Sequence, residues 1–152
     1  MTELTQLISE ARAAGDYQRV VDMVPYASML GIAFEADENG RLLFRLEYNE
    51  RNIGNSLLPA LHGGAIAAFM EHAALLELVW NQETVLLPKV IDFSIDYLRP
   101  GRPETVFAEC HVIRQGQRVA NVSVTAWQGD RNRIIATGRC HYLLTRSEDE
   151  QR

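Results

Sequence analysis

The chain has 152 residues, of which 47% are hydrophobic and 23% are charged, values typical of one soluble globular domain. This composition excludes a disordered chain, a collagen-like chain and a disulfide scaffold. The 15 basic residues are outnumbered by 20 acidic ones, which gives a net charge of −5. Because nucleic-acid-binding domains carry a basic surface, we expect no nucleic-acid partner.

The sequence predicts neither a membrane-spanning segment nor a targeting segment. No stretch of about 18 residues is both apolar and uncharged. The first residues, MTELTQ, lack the positive charge and the apolar run of a signal peptide. We therefore expect a cytoplasmic protein without a membrane partner, in which Cys110 and Cys140 are reduced.

Residues 3–24 are predicted to form two short helices. Apolar residues recur there at helical spacing, and Gly15 interrupts the pattern. Asp16 is a suitable N-cap for the second helix, and Pro25 follows that helix. We expect both helices to pack over the main domain.

A β-hairpin is predicted next, with strands over residues 32–37 and 41–48. Asn39 and Gly40 form its turn, because Asn-Gly is a strong signal for a type I′ turn, in which both central residues have positive φ. Alternate residues of the second strand are apolar. One face of the hairpin should therefore pack on a core.

A loop is predicted over residues 49–62, and a long helix over residues 64–80. The helix is apolar on every side and contains only three polar residues, Glu71, His72 and Glu77. A helix that is apolar all round must be surrounded by protein.

Four more strands follow, divided by turn residues and with no helical pattern between them, which predicts an antiparallel meander. They span residues 90–98, 105–114, 118–128 and 133–145. A curved antiparallel sheet wrapped around one central helix, an α+β fold, would cover the helix and give the sheet a core. We expect this domain over residues 25–145, after a helical extension (1–24) and before a charged tail (146–152).

The start of the long helix and one residue inside it are candidates for chemistry. Gly63 and Gly64 follow His62, and the free N–H groups of a first helical turn suit a phosphate, a carboxylate or a developing oxyanion. A tight turn with close packing is the alternative. Glu71 has no Lys or Arg on its helix to pair with, and a buried carboxylate is either paired or functional. His72 is better explained as a structural histidine.

Other catalytic and metal-binding patterns are missing from the sequence. The four histidines are scattered without the spacing of metal ligands, so we expect no metal. There is no GxSxG elbow, no Walker sequence and no GxGxxG sequence. We expect no cofactor.

Two motifs carry a resemblance to a known family. The first is Asn55 together with Leu-His-Gly-Gly at 61–64 and Glu71, and the second is Asp-Phe-Ser-Ile-Asp-Tyr-Leu-Arg-Pro at 92–100. The sequence resembles the hotdog-fold acyl-CoA thioesterases of the phenylacetate-pathway (PaaI-like) type over residues 25–145. The resemblance implies the hotdog fold and hydrolysis of an acyl-CoA to a free acid and CoA.

The resemblance also implies roles for individual residues. Glu71 would activate water or attack the thioester carbonyl, and the amide of Gly63 or Gly64 would polarise the carbonyl oxygen. His62 and Asn55 would position the thioester and the water. The family pattern further implies a homodimer with active sites at the interface, and dimers that often pair into tetramers.

Three positions depart from the family pattern. Glu71 stands where many members have Asp, and Val90 stands where some members have a helper Ser. Asn55 lies one residue further from the histidine than usual, so that Ser56 takes the usual place. A one-residue bulge within residues 57–59 would restore the role of Asn55.

Binding of the CoA phosphates requires cationic side chains. Arg99, Arg114 and Arg118 lie near predicted strand ends and are the candidates. Two other functions remain open from the sequence, a hotdog enoyl-thioester hydratase and a non-catalytic acyl-CoA sensor.

Overall fold

The computed structural model describes residues 2–81 and 86–144, and these residues have the predicted α+β architecture. The helices are α1 (Glu3–Ala14), α2 (Tyr17–Val21), α3 (Pro25–Leu30) and α4 (Gly63–Asn81). The strands are β1 (Ile32–Ala36), β2 (Leu42–Leu46), β3 (Ile53–Asn55), β4 (Ala60–Leu61), β5 (Lys89–Tyr97), β6 (Val106–Gln115), β7 (Val119–Trp127) and β8 (Ile134–Leu143). The predicted tail, 146–152, and Thr145 at the end of the last predicted strand lie outside the described residues.

Six strands form one antiparallel sheet, in the order β1-β2-β6-β7-β8-β5. The helix α4 packs against this sheet along β2, β5, β6, β7 and β8. Strands β3 and β4 form a separate two-stranded ribbon just before α4. A long helix held by a curved antiparallel sheet is the hotdog architecture that the resemblance implies.

The position of β5 differs from the predicted meander. Of the four strands predicted after α4, only β6, β7 and β8 follow one another as hairpins. β5 precedes β6 in the chain but pairs with β8, where Val90 lies opposite Tyr142 and Asp96 opposite Thr137. The prediction failed because turn residues show that the chain reverses, whereas they do not show which strand it then pairs with.

The two predicted N-terminal helices form, but α2 ends at Val21 rather than reaching Val24, and a third helix was not predicted. α1 ends at Gly15, which has a left-handed φ of 63°, and the Asp16 side chain accepts a hydrogen bond from the Arg19 N–H at the start of α2. α3 begins at Pro25, a favoured residue in a first helical turn, and ends at Gly31. Its six residues are too few to show helical periodicity.

The hairpin forms as predicted but with a different turn. Only Gly40 has a positive φ, 78°, so the turn is not type I′. The Asp37 carboxylate accepts hydrogen bonds from the backbone N–H groups of Asn39 (2.8 Å) and Arg41 (2.9 Å). The Gly40 N–H donates to the Asp37 carbonyl at 2.9 Å. The aspartate therefore stabilises a wider turn that needs a single left-handed residue.

The core lies between α4 and the concave face of the sheet. Its largest fully buried side chains include Phe44, Phe69, Met70, Leu76 and Tyr142. The 19-residue α4 is long and apolar enough to cross a membrane by length and composition alone, but half of its most apolar stretch is buried within the fold. Packing against the sheet therefore accounts for its apolar composition.

One stripe of α4 is less covered than the sequence predicts. The residues of this stripe are exposed or half-buried, and they follow one another at helical spacing. They are Gly64, Ala67, Ala68, Glu71 and Leu75. The expectation that the helix is enclosed on every side is therefore wrong for the single chain.

Candidate active site

His62 caps the start of α4. Its ring Nδ1 accepts a hydrogen bond from the Gly64 N–H at 2.8 Å, as an N-cap side chain does. Because an amide can only donate, Nδ1 is unprotonated and the ring proton is on Nε2. The His62 N–H donates to the Asn52 carbonyl at 2.7 Å, which fixes the backbone. The side chain therefore presents an Nε2–H donor beside the helix start.

Two glycines make space for the His62 ring. A Cβ at Gly64 would lie 2.9 Å from that ring, and a Cβ at Gly54 would lie 2.7 Å from the His62 Cα. Both distances are too short for any other residue without movement of the histidine. Gly54 was not among the predicted site residues, and a glycine inside a strand was the sequence signal for such a close approach.

Gly63 provides the free amide of the first turn. Within residues 2–81 and 86–144, no hydrogen bond involves the Gly63 N–H, whereas the Gly64 N–H is occupied by His62. The Gly63 carbonyl accepts a hydrogen bond from the Tyr97 hydroxyl at 2.7 Å. Of the two glycine amides predicted for the oxyanion, only the Gly63 N–H is available at the positive end of the helix dipole.

A buried glutamine holds the loop that is hydrogen-bonded to the chain just before α4. Gln128 is fully buried and accepts a hydrogen bond from the Arg102 N–H at 2.9 Å. It donates to the carbonyls of Arg102 (2.9 Å) and Glu104 (3.1 Å). These bonds hold the loop that contains Gly101, whose carbonyl accepts from the Leu61 N–H at 2.9 Å. The sequence analysis missed Gln128 because its role depends on contacts between distant segments.

Asn55 organises the turn between β3 and β4. Its Oδ1 accepts hydrogen bonds from the N–H groups of Leu57 (3.0 Å) and Leu58 (3.2 Å). The irregularity in strand register lies at Gly54, between Ile53 and Asn55, and not within residues 57–59 as predicted. No hydrogen bond joins the Asn55 side chain to His62 in the described part of the chain.

Glu71 lies two turns into α4, on the uncovered stripe of the helix. Its side chain is half-buried because the surrounding stripe is uncovered, so the prediction of a buried carboxylate is wrong for this residue. Burial, with a smaller contribution from the Glu71 carboxylate, raises the pKa of the Cys140 thiol to about 12. The Glu71 backbone carbonyl accepts a hydrogen bond from the Tyr142 hydroxyl at 2.5 Å, which ties this turn of α4 to β8.

The carboxylate with a buried, unpaired oxygen is Glu77. Its Oε1 accepts a hydrogen bond from the Asn81 side chain at 2.7 Å, and its Oε2 has no partner among the described residues. Burial raises the pKa of Glu77 to about 7. Six residues separate it from Glu71, about 240° around the helix at 100° per residue. Glu77 therefore faces away from the side occupied by Glu71.

The three predicted arginines do not converge on one place. Arg99 lines a cleft of about 250 Å³ beside Gly63, and its guanidinium donates to the Ile134 carbonyl at 2.6 Å. Arg114 lines a cleft of about 410 Å³ on the sheet face away from α4. Arg118 is exposed just before β7.

The contacts of His72 and the burial of Cys110 give both residues a structural explanation. The His72 Nδ1–H donates to the Ala68 carbonyl at 2.6 Å, and its ring packs 5.5 Å from the Tyr26 ring. Burial raises the pKa of the Cys110 thiol well above its ordinary range. Over the described ranges, His, Cys, Asp and Glu form no group of three that could hold a metal ion.

Comparison with known proteins identifies the family. Residues 58–135 match the sequence model of the thioesterase superfamily. The chain belongs to the thioesterase superfamily. This thioesterase is 28% identical over 134 residues to the medium/long-chain acyl-CoA thioesterase YigI of Escherichia coli K12, which covers 80% of the chain and 86% of YigI. It is 24% identical over 145 residues to human acyl-coenzyme A thioesterase 13, with 91% and 95% coverage.

Solved structures support the same assignment. A protein of Chromobacterium violaceum is 45% identical to this thioesterase, with a TM-score of 0.75 and coverage of 93% of the chain and 98% of that protein. The BH2602 protein of Bacillus halodurans, solved with CoA, shares the fold at 21% identity, a TM-score of 0.73 and coverage of 95% and 93%. The expected hotdog thioesterase family is confirmed, and the chain is a thioester hydrolase.

Proposed function

We propose that this thioesterase hydrolyses acyl-CoA to a free acid and CoA, with Glu71 as general base or nucleophile and the Gly63 N–H as oxyanion donor. The observation that carries the proposal is the helix start, where the Gly63 amide is free and the His62 ring is held beside it. Such preorganised donors stabilise the negative charge that develops on a carbonyl oxygen during acyl transfer.

The chemistry requires few further groups. In the base-catalysed form, Glu71 removes a proton from water, the water oxygen bonds to the thioester carbon, and the carbonyl oxygen becomes negative beside Gly63. The Nε2–H of His62 is a second donor for this oxygen or for the water. The C–S bond then breaks and CoA leaves as a thiolate, which needs little acid assistance because a thiol pKa is about 8.5.

Glu71 and Gly63 of one chain are too far apart to act on the same carbonyl. Eight residues separate them on α4, roughly 12 Å along the axis at about 1.5 Å per residue. A reacting carboxylate must approach within about 3–3.5 Å, directly or through one water. We therefore propose that the Glu71 of one site comes from a second copy of the chain, with two identical sites in a two-fold dimer.

Two uncovered surfaces support a dimer. The outer edge of β5 has no strand partner within the described residues, and it carries the exposed apolar side chains of Val90 and Ile91. Free edges with such side chains are normally covered. The uncovered stripe of α4 includes Glu71 itself. A second copy against these surfaces would bring a Glu71 towards the other chain's helix start.

Incubation with a panel of short, long and aromatic acyl-CoAs, with a thiol reagent present, tests the activity. We expect release of free CoA, and the relative YigI makes medium- and long-chain acyl groups the first to try. A change of absorbance at the acyl chain of an enoyl-CoA without thiol release would indicate a hydratase. Binding without turnover would indicate a sensor. Either of these two results would contradict the proposal.

A further inference from the structure

A tyrosine of β5 is hydrogen-bonded to the first residue of α4. The Tyr97 hydroxyl donates to the Gly63 carbonyl at 2.7 Å. At a helix start the N–H groups lack partners, whereas the carbonyls have partners within the helix. A side-chain donor on the first carbonyl is therefore not needed to cap α4. Burial does not require it either, because Tyr97 is 51% exposed and water could solvate the hydroxyl.

The peptide group between Gly63 and Gly64 is hydrogen-bonded at both ends. Its carbonyl accepts from Tyr97, and its N–H donates to the His62 Nδ1 at 2.8 Å. A series of hydrogen bonds thus leads from the Tyr97 hydroxyl, through one peptide group, to the His62 ring. Hydrogen bonds in such a series polarise and strengthen one another. The Tyr97 hydroxyl therefore strengthens the bond that keeps the ring proton of His62 on Nε2.

Backbone pairing and a glycine fix the position of Tyr97. On β5 it lies opposite Ala136 of β8, and the next N–H, that of Leu98, donates to the Ile135 carbonyl at 2.8 Å. The Tyr97 ring lies against Gly63, where a Cβ would be only 3.2 Å from it. Both residues line one cleft of about 250 Å³. The hydroxyl is thus held at the helix start by the sheet, which is a rigid support.

We propose that Tyr97 is a positioning residue, whose hydroxyl acts through the Gly63–Gly64 peptide group to hold the His62 ring with its proton on Nε2. The hydroxyl contacts neither the thioester nor the water. The Nε2–H of His62 is the donor that the proposed acyl-CoA hydrolysis uses, so the inference rests on that function. Tyr97 lies in the motif at 92–100, but the sequence analysis gave it no role.

Tyr97→Phe tests the proposal, because it removes the hydroxyl and keeps the ring against Gly63. We expect kcat for the best acyl-CoA to fall about 3- to 10-fold, the effect of losing one neutral hydrogen bond. KM should stay within about twofold of the parent value. Tyr48→Phe is the matched control, since Tyr48 is 47% exposed and its hydroxyl makes no hydrogen bond within residues 2–81 and 86–144. It should leave kcat and KM unchanged.

Nitrogen-15 NMR of the His62 ring separates this role from a merely structural one. In the parent, Nδ1 should have the chemical shift of an unprotonated ring nitrogen. In Tyr97→Phe, part of the population should carry the proton on Nδ1, so the shifts of the two ring nitrogens should move towards each other. The melting temperature should stay close to that of the parent. Tyr48→Phe should leave both ring shifts unchanged.

A double-mutant cycle tests whether Tyr97 acts through His62. In a His62→Ala background, Tyr97→Phe should lower kcat by less than about twofold, because both changes interrupt the same series of hydrogen bonds. Unchanged His62 ring shifts in Tyr97→Phe would overturn the proposal, as would losses of kcat that multiply in the double variant. A parent that releases no CoA would overturn the proposed function instead, and the ring shifts would still decide whether Tyr97 positions His62.

Discussion

Glu71 is the side chain on which the proposed chemistry depends most. Glu71→Gln keeps the shape but cannot accept a proton, so we expect turnover of the best acyl-CoA to fall about 10²- to 10⁴-fold. Glu77→Gln is the matched control, because it removes a carboxylate from the other side of the same helix. That control should keep turnover within about threefold of the parent. Equal activities of the two variants would remove Glu71 from the mechanism.

The family pattern has one asparagine in the loop before the histidine, and either Asn55 or Ser56 fills its position in this chain. We expect Asn55→Ala to lower kcat at least about tenfold and Ser56→Ala to have little effect, because an amide offers both a donor and an acceptor for water or substrate. The Asn55 Oδ1 also holds the turn, so thermal unfolding of both variants must be measured beside kcat. The reverse ranking, with unchanged melting temperatures, would assign the position to Ser56.

For individual residues, the sequence predicted the helix start as a site. It did not predict which backbone N–H there is occupied and which is free. His62, Gly63 and Gly64 were predicted together, yet only the structure shows that His62 occupies the Gly64 amide and leaves that of Gly63 free. Gly54 was missed because its role is to let the His62 backbone lie close to it, where a Cβ would not fit. Such roles depend on contacts between segments, which neither spacing nor residue type records.

Within α4, Glu77 makes folding stability depend on pH. Its pKa rises from an ordinary 4.5 in the unfolded chain to about 7 in the folded chain. The protonated form is therefore favoured by folding. The stability linked to this group is fully present below pH 4.5 and is lost as pH rises through 7.

We expect Glu77→Gln to be more stable than the parent at pH 8, by on the order of 1–3 kcal/mol after allowing for partial exposure of the carboxylate. At pH 4.5 the two should be nearly equal, since the parent is then largely protonated in the folded state. Urea unfolding at the two pH values, at one protein concentration, measures the difference. A difference in the free energy of unfolding between variant and parent that is the same at both pH values would contradict this account.

Hydrophobic periodicity predicted most of the helices and strands. The exceptions are the shortest elements and one strand that pairs with a distant part of the chain. α4 and the long strands were predicted because apolar residues recur in them at the spacing of one buried face. α3, β3 and β4 were missed, since they have six, three and two residues. The edge position of β5 was missed because pairing with β8 is a long-range choice.

At the scale of the whole molecule, two surfaces lack cover within the described residues of the single chain. The free edge of β5 and the stripe of α4 that contains Glu71 are both apolar in part and exposed or half-buried. Sequence patterning predicted full enclosure of α4, and a second copy of the chain would supply the missing cover. The same second copy would supply the carboxylate that roughly 12 Å of helix keeps away from Gly63.

Subunit mixing tests this shared site most directly. Gly64→Val displaces the His62 ring, because a Cβ there would lie 2.9 Å from it, and Glu71→Ala removes the carboxylate, so each homodimer should be inactive. In a heterodimer, the intact helix start of one chain meets the intact Glu71 of the other. Equal mixing under subunit exchange should therefore restore about a quarter of the parent activity, because half of the dimers are mixed and each has one complete site. Verified heterodimers without activity, or a parent that is active as a monomer, would contradict the account.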